Sequence, residues 1–165
     1  MLVYLVRHGI AIDRDDPECP AEAERYLTPK GVEKTQKAAD GFSEMGVKPT
    51  VAMSSPYLRA MQTAEIFCEA LGISASKIKK TDALKSESSP KLIIEELSKM
   101  KDEEEVVCFG HAPHMDEVIA YATHAAKTFT DLKKAGAACL ELHSFSPVDG
   151  RLVWLLTPQT LRDLG

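Results

Sequence analysis

Two arginines and two histidines lie at or just beyond the ends of apolar runs in this sequence. Arg7 and His8 follow LVYLV, His111 follows VVCFG, and Arg59 comes shortly after TVAMS. Guanidinium groups bind the oxygens of a doubly charged phosphoryl group in a bidentate manner. One neutral imidazole can act as a nucleophile and a second can carry a proton. This set therefore suits phosphoryl transfer, which depends on positioning and charge stabilisation.

Apolar runs and helical patterns alternate along the chain, and this alternation must position the four side chains. Four segments are predicted as strands: residues 2–7, 50–54, 78–84 and 105–110. Four helices are predicted to begin at prolines: Thr28-Pro29, Ser55-Pro56, Ser89-Pro90 and Pro113. The charged stretch 99–105 is predicted as a solvated loop.

The C-terminal part has a different pattern. AACLELHSF and RLVWLLT flank SPVDG, which predicts a hairpin. The predicted fold class is α/β. We expect three layers, with a mostly parallel central sheet flanked by helices and an antiparallel C-terminal hairpin.

This architecture predicts where the four side chains meet. In open α/β sheets, ligands bind outside the carboxyl ends of the strands. Arg7, His8 and His111 follow two such ends, and Arg59 lies one turn into the helix that begins at Pro56. A single histidine after a strand is more often structural than catalytic, but two histidines with two arginines at one edge predict a site.

Composition bounds the class of protein. A chain of 165 residues predicts a single domain over residues 1–165, long enough to bury a core. The net charge of −5 argues against nucleic acid or an anionic membrane as the main partner, although a local basic pocket remains open. Four scattered cysteines without a CxxC pair predict free thiols. The first apolar run is too short for a signal sequence or a membrane span, and we expect a cytoplasmic protein.

Four motifs occur in order between residues 6 and 113: VRHG, LTPKG, SSPYLRAMQTAE and GHAP. They resemble the signatures of the histidine phosphatase superfamily, which has the phosphoglycerate mutase-like fold. The third motif is long and therefore the most specific of the four. The short chain, the absence of a cap insertion and His-x-Pro at position 111 make it resemble the SixA branch, which comprises phosphohistidine phosphatases.

The resemblance implies a role for each of the four residues. His8 would be the nucleophile that becomes transiently phosphorylated. Arg7 and Arg59 would bind the phosphoryl oxygens, and His111 would complete the phosphate pocket as a donor. A neutral His8 beside a cationic His111 is the expected protonation state. No metal and no organic cofactor are expected, and Thr28 is expected to cap a helix.

One departure from the family pattern bears on the substrate. Many relatives protonate an alkoxide leaving group with a carboxylic acid on a loop after the third strand. Their Leu-x-Glu pattern, applied to Leu84, puts Ser86 in the place of that acid. Glu87, one residue further on, stays a candidate general acid. Ile10 also departs from the acidic or polar residue common after RHG, so no direct contact with the phosphoryl group is expected there.

Three histidines match no motif position and are expected to be surface or hydrogen-bonded structural residues: His114, His124 and His143.

Three functions remain open on these grounds. The first is a phosphohistidine phosphatase that acts on a phosphorylated protein. The second is a phosphatase or mutase of a small phosphorylated metabolite, with Glu87 as general acid. The third is a non-catalytic phospho-binding module, although binding alone would not need a free nucleophilic histidine. The expected partner is accordingly a phosphoprotein or a phosphorylated metabolite.

Overall fold

The computed structural model describes residues 1–100, 103 and 105–165. Its strands are β1 (Leu2–Arg7), β2 (Val51–Ser54), β3 (Lys79–Lys80), β4 (Glu105–Gly110), β5 (Ala137–Phe145) and β6 (Val148–Leu156). Its α-helices are α1 (Pro29–Glu44), α2 (Leu58–Ala70), α3 (Pro90–Ser98), α4 (His114–Ala122) and α5 (Pro158–Arg162). Of the loop predicted over 99–105, residues 101, 102 and 104 lie outside the described residues.

The strands form one mixed sheet in the order β3-β2-β4-β1-β5-β6. The pairs among β3, β2, β4 and β1 are parallel, whereas β5 and β6 pair antiparallel. The predicted α/β fold class is therefore confirmed. Arg7 is in register with Gly110, and Ser54 with Phe109, so the carboxyl ends of β1, β4 and β2 lie at one edge.

The sheet separates two apolar clusters, which explains why β1 is apolar without interruption. Val3 and Leu5 contribute to the cluster covered by α3 and α4, and Tyr4 and Val6 contribute to the other. Three fully buried side chains, Phe42, Phe67 and Leu161, bring α1, α2 and α5 against this second face. Each such side chain contributes about 1.5–3 kcal/mol through burial.

The helix that follows the first motif begins as predicted. Thr28 Oγ1 accepts a hydrogen bond from the Gly31 amide at 3.0 Å, and Pro29 is the first helical residue. The capping role of Thr28 is thereby confirmed. Helix α2 begins at Leu58, two residues after the proline at which it was predicted to start.

The strand predicted over 78–84 is wrong for most of its length. β3 has two residues and is followed by a 3-10 helix at Asp82–Leu84. Thr81 Oγ1 accepts from the Ala83 amide at 3.1 Å, which turns the backbone away from the sheet. The turn buries Ala83 and Leu84. These apolar residues suggested a strand, but they are packed into the core by a helical turn.

Helix α5 was not predicted, although it begins with the same signal as the others. Thr157 caps it through a 3.1 Å hydrogen bond from the Thr160 amide, and Pro158 follows. Its Leu161 is fully buried against α1.

The four cysteines are free thiols, and Cys68, Cys108 and Cys139 are buried, as predicted. Within the described ranges, no helix has the length and apolar character needed to cross a bilayer.

Candidate active site

Arg7, His8, Arg59 and His111 all line one small cavity of about 170 Å³ beyond the strand carboxyl ends. The ring centres of His8 and His111 are 5.2 Å apart. Arg59 Nε lies 3.4 Å from His8 Nε2. The structure thus brings together, around one small cavity, the four residues predicted from the sequence.

The backbone sets the tautomer of His8. Its Nδ1 lies 2.7 Å from the carbonyl oxygen of Gly9. A carbonyl oxygen can only accept, so Nδ1 carries the proton and Nε2 keeps its lone pair. Burial lowers the pKa of His8 to about 2, and the charges of Arg59 and Arg7 also lower it. The imidazole is therefore neutral and nucleophilic at physiological pH.

Gly9 ties the nucleophile's loop to the helix that carries Arg59. Its amide donates to Thr63 Oγ1 at 3.0 Å, and the Thr63 hydroxyl donates to the Arg59 carbonyl at 2.7 Å. A Cβ at position 9 would lie 2.2 Å from Thr35 Oγ1. Only glycine therefore allows this close packing.

The guanidinium of Arg59 is held by Glu22 from the 3-10 helix Glu22–Glu24. Arg59 Nη1 donates to the Glu22 carbonyl at 2.8 Å, and Nη2 lies 3.0 Å from Glu22 Oε1. Arg59 is itself 2% exposed. A buried cation with two fixed donors is oriented before any ligand arrives.

Glu22 also contacts Arg14 and Arg25, two arginines that were not predicted from the sequence. Its carboxylate accepts from Arg14 at 2.8 Å and from Arg25 at 3.3 Å. The hydrogen bond from Arg14, followed by the charges of Arg59, Arg14 and Arg25, lowers the pKa of Glu22 to about 2. Both arginines line the cavity. They lie in an irregular segment without helical or strand periodicity, so no pattern in the sequence marked them.

His111 lies opposite His8 and differs from expectation in its charge. Its Nε2 is 2.9 Å from Ser55 Oγ, and its ring packs edge-on against Tyr57 at 5.2 Å. Burial, followed by the charge of Arg59, lowers the pKa of His111 to about 3. The cationic His111 expected from sequence is therefore disfavoured in this pocket, where it is a neutral hydrogen-bonding group.

The loop predicted to hold a general acid presents Ser86 to the cavity. Glu87 is exposed, and its carboxylate accepts hydrogen bonds from Tyr57 Oη at 3.0 Å and Ser86 Oγ at 2.9 Å. The bond from Ser86 is the largest of the causes that lower the pKa of Glu87. Glu87 is thus ionised at neutral pH and lies outside the residues that line the cavity.

Of the three other histidines, His124 and His143 are exposed, as expected. His114, the first residue of α4, is fully buried, and its ring nitrogens make no hydrogen bond with the described residues. A surface position is therefore wrong for His114, where burial lowers the pKa against the opposing effect of the nearby Ser89 backbone. No cluster of three or more His, Cys, Asp or Glu side chains suited to a metal ion occurs in residues 1–100, 103 and 105–165.

Because three histidines are buried, we expect the free energy of unfolding to be lower in mild acid than at neutral pH. Burial lowers the pKa of His8, His111 and His114, so below the ordinary histidine pKa of about 6.5 the unfolded chain binds more protons than the folded one. The free energy of unfolding should therefore fall as pH decreases from 6.5. In His8→Asn the slope should be smaller by about 1.4 kcal/mol per pH unit between pH 6 and 5, measured by urea titration.

His143→Asn is the matched control. The carboxylates of Glu141 and Asp149 accept hydrogen bonds from the protonated ring of His143 and raise its pKa, so this residue stabilises the fold below its unfolded pKa and loses that contribution as pH rises. Removing it should leave the slope between pH 6 and 5 nearly unchanged, because His143 is protonated in both the folded and the unfolded state there, and should alter the stability curve only above about pH 6.5. An unchanged slope in His8→Asn would show that His8 titrates alike in both states.

The sequence is similar to those of known proteins. The sequence profile of the histidine phosphatase superfamily (branch 1) matches residues 3–86. An uncharacterized protein of Picosynechococcus sp. (strain PCC 7002) is 31% identical over 169 residues, which cover 98% of this chain and 99% of the relative.

Solved structures share the fold over almost the whole chain. The protein histidine phosphatase SixA, solved with tungstate, superposes with a TM-score of 0.86 at 22% identity and covers 98% of this chain and 99% of its own. A mycobacterial glucosyl-3-phosphoglycerate phosphatase, solved with inorganic phosphate, gives a TM-score of 0.71 at 16% identity, with 96% and 98% covered. The recognised fold is therefore the phosphoglycerate mutase-like fold of these proteins.

Proposed function

Because the chain belongs to the histidine phosphatase superfamily, we propose that it is a phosphohistidine phosphatase that acts on a phosphorylated protein. Membership supports phosphatase activity in general, and the choice of substrate rests on the residues around the cavity. The proposed location is the cytoplasm, which keeps the four thiols reduced.

In the first step, the lone pair of His8 Nε2 attacks the phosphorus atom. The new N–P bond forms while the bond to the substrate imidazole breaks, and the imidazole leaves with that electron pair. It leaves neutral when its other ring nitrogen carries a proton. The phosphorylated His8 is then a cation whose Nδ1–H donates to Gly9, 2.7 Å away.

In the second step, water attacks the phosphorus atom. The bond to His8 Nε2 breaks, its electron pair returns to the ring, and the water proton passes to solvent. Arg7 and Arg59 bind the phosphoryl oxygens in both steps, and His111 donates one N–H to them. Because Arg59 is already held by Glu22, little reorganisation is needed when the charge develops.

The observation that carries the substrate assignment is the absence of a carboxylic acid among the described residues that line the cavity, where Ser86 occupies the loop position. An alkoxide leaving group without a proton donor is poor, since its parent alcohol resembles water with a pKa of about 15.7. Imidazole leaves far more easily, since its conjugate acid has a pKa of about 6.5. The pocket thus favours phosphoamidates over alkyl phosphate esters.

Glu87→Gln tests this assignment. We expect turnover of a phosphohistidine protein to change less than about threefold, because Glu87 is ionised and donates no proton. Wild-type protein should in addition hydrolyse the phosphohistidine protein far faster than sugar phosphates. Both are measured as release of inorganic phosphate.

Glu95→Gln, at an exposed position on α3, is the matched control. A fall of about 10²-fold or more in Glu87→Gln alone, the scale of a lost general acid, would make Glu87 the proton donor. The metabolite phosphatase would then be the better assignment.

A further inference from the structure

A second, larger cavity adjoins the candidate active site. It has a volume of about 520 Å³, within the usual range for ligand sites. We name it the lysine groove after its polar lining: Arg7, Lys34, Thr35, Lys133, Lys134 and Arg162. Arg7 and Lys134 also line the phosphoryl cavity. The two cavities are therefore neighbours with a shared wall at Arg7 and Lys134.

The lysine groove is cationic in a chain of net charge −5. No Asp or Glu occurs among the described residues that line it. Lys133 pairs with Asp131, but Lys34, Lys134 and Arg162 make no ion pair within residues 1–100, 103 and 105–165. Like charges gathered without partners are unfavourable unless an anion joins them.

The lysine-bearing turn between α4 and β5 is fixed to the catalytic strand. The Ala135 amide donates to the carbonyls of Arg7 at 3.0 Å and His8 at 3.2 Å, and Arg7 Nη1 donates to the Leu132 carbonyl at 2.9 Å. The buried carboxylate of Asp116 accepts from the Leu132 amide at 3.1 Å. Ala135 has φ +59°, a left-handed conformation that is unfavourable for an alanine. The contacts on both sides hold the turn in this strained form.

The groove also has an apolar wall suited to a chain segment. Thr35, which lines the groove, is fully buried, and its Oγ1 packs against Gly9. Ile10, Ala135 and Pro158 contribute apolar wall. A single inorganic anion would leave most of the 520 Å³ unfilled, whereas a peptide segment would place carboxylates on the lysines and aliphatic stems on this wall.

We propose that the lysine groove is a second subsite that binds the acidic side chains flanking the phosphohistidine of a protein substrate. This inference rests on the proposed function. It adds that the enzyme prefers phosphoproteins with acidic residues next to the phosphohistidine. The phosphoryl group occupies the small cavity, and the adjoining chain runs past Lys134 towards Lys34 and Arg162. Electrostatic attraction of this kind acts mainly on encounter and affinity, and it weakens with salt.

The test uses two phosphohistidine peptides of equal length, one with Asp and Glu around the phosphohistidine and one with Asn and Gln. For wild-type protein we expect kcat/KM to be at least about tenfold higher for the acidic peptide, mostly through KM, with the ratio falling as salt rises. In the double variant Lys34→Ala/Arg162→Ala, the ratio should fall to about two or less. The double variant Lys30→Ala/Lys37→Ala changes two exposed lysines of α1 outside the groove and should keep the wild-type ratio.

Equal kcat/KM for the two peptides in wild-type protein, or an undiminished ratio in the groove variant, would overturn the proposal. If neither peptide is hydrolysed, the proposed function fails, and binding of the unphosphorylated acidic peptide by fluorescence anisotropy tests the groove by itself. Wild-type protein should then bind that peptide at least about tenfold more tightly than the groove variant. Equal binding would refute the subsite.

Discussion

His8→Ala should abolish both phosphoenzyme formation and turnover. The nitrogen that attacks phosphorus is lost, and His111, the other imidazole among the described residues that line the cavity, has its Nε2 2.9 Å from Ser55 Oγ. We expect kcat to fall by at least about 10⁴-fold, the scale seen when a nucleophile is removed. Brief reaction with a labelled phosphodonor should leave an acid-labile, base-stable phosphate on wild-type protein and none on the variant.

Two further variants separate nucleophile from donor. His111→Ala should slow turnover but retain the label, because His111 donates to the phosphoryl group and does not accept it. His143→Ala removes an exposed histidine of the C-terminal hairpin and should leave label and turnover at wild-type values. Wild-type turnover in His8→Ala would show that the nucleophile lies elsewhere.

Arg59→Ala should lower kcat/KM by about 10³-fold or more, the effect of losing an arginine that stabilises a phosphoryl transition state. Arg59 is the guanidinium beside His8 Nε2, and its orientation is fixed by two contacts with Glu22. Arg59→Lys keeps the charge but loses the fork of donors, so it should recover only part of the loss. Steady-state kinetics with a phosphohistidine peptide give the values.

Loss of folding must be separated from loss of catalysis in this experiment. Arg151→Ala removes an exposed arginine of β6 and is expected to have wild-type kinetics. Thermal unfolding of each variant reports whether the fold persists. An Arg59→Ala protein that is folded and retains more than about a tenth of wild-type kcat/KM would contradict a direct role on the phosphoryl group.

Much of the fold follows from local patterns. Strands β1 and β4 were predicted from their apolar runs, and helices α1 and α3 from the Thr-Pro and Ser-Pro pairs at their starts. Both signals are local, because burial on both faces of a strand and N-capping of a helix depend on residues that are close together in the sequence. The segment 78–84 failed because a capped turn can bury Ala83 and Leu84 as well as a strand can. Periodicity in so short a run does not distinguish the two.

For the candidate site, sequence by itself determined which residues could perform phosphoryl transfer and at which sheet edge they lie. Motif order and the ends of parallel strands are enough for Arg7, His8, Arg59 and His111, because strand ends meet at one edge of a sheet. Ser86 was likewise predicted to occupy the loop position of the acid, because it lies two residues after Leu84. In the structure it lines the cavity.

Only the tertiary structure decided how those residues are charged and supported. Glu22 reaches Arg59 across the fold, and the turn at Lys134 reaches Arg7, through contacts between segments that share no local pattern. The neutral state of His111 likewise follows from its removal from water beside Arg59. Desolvation and long-range ion pairing depend on which distant segments pack together, and a linear pattern of residues does not contain that information.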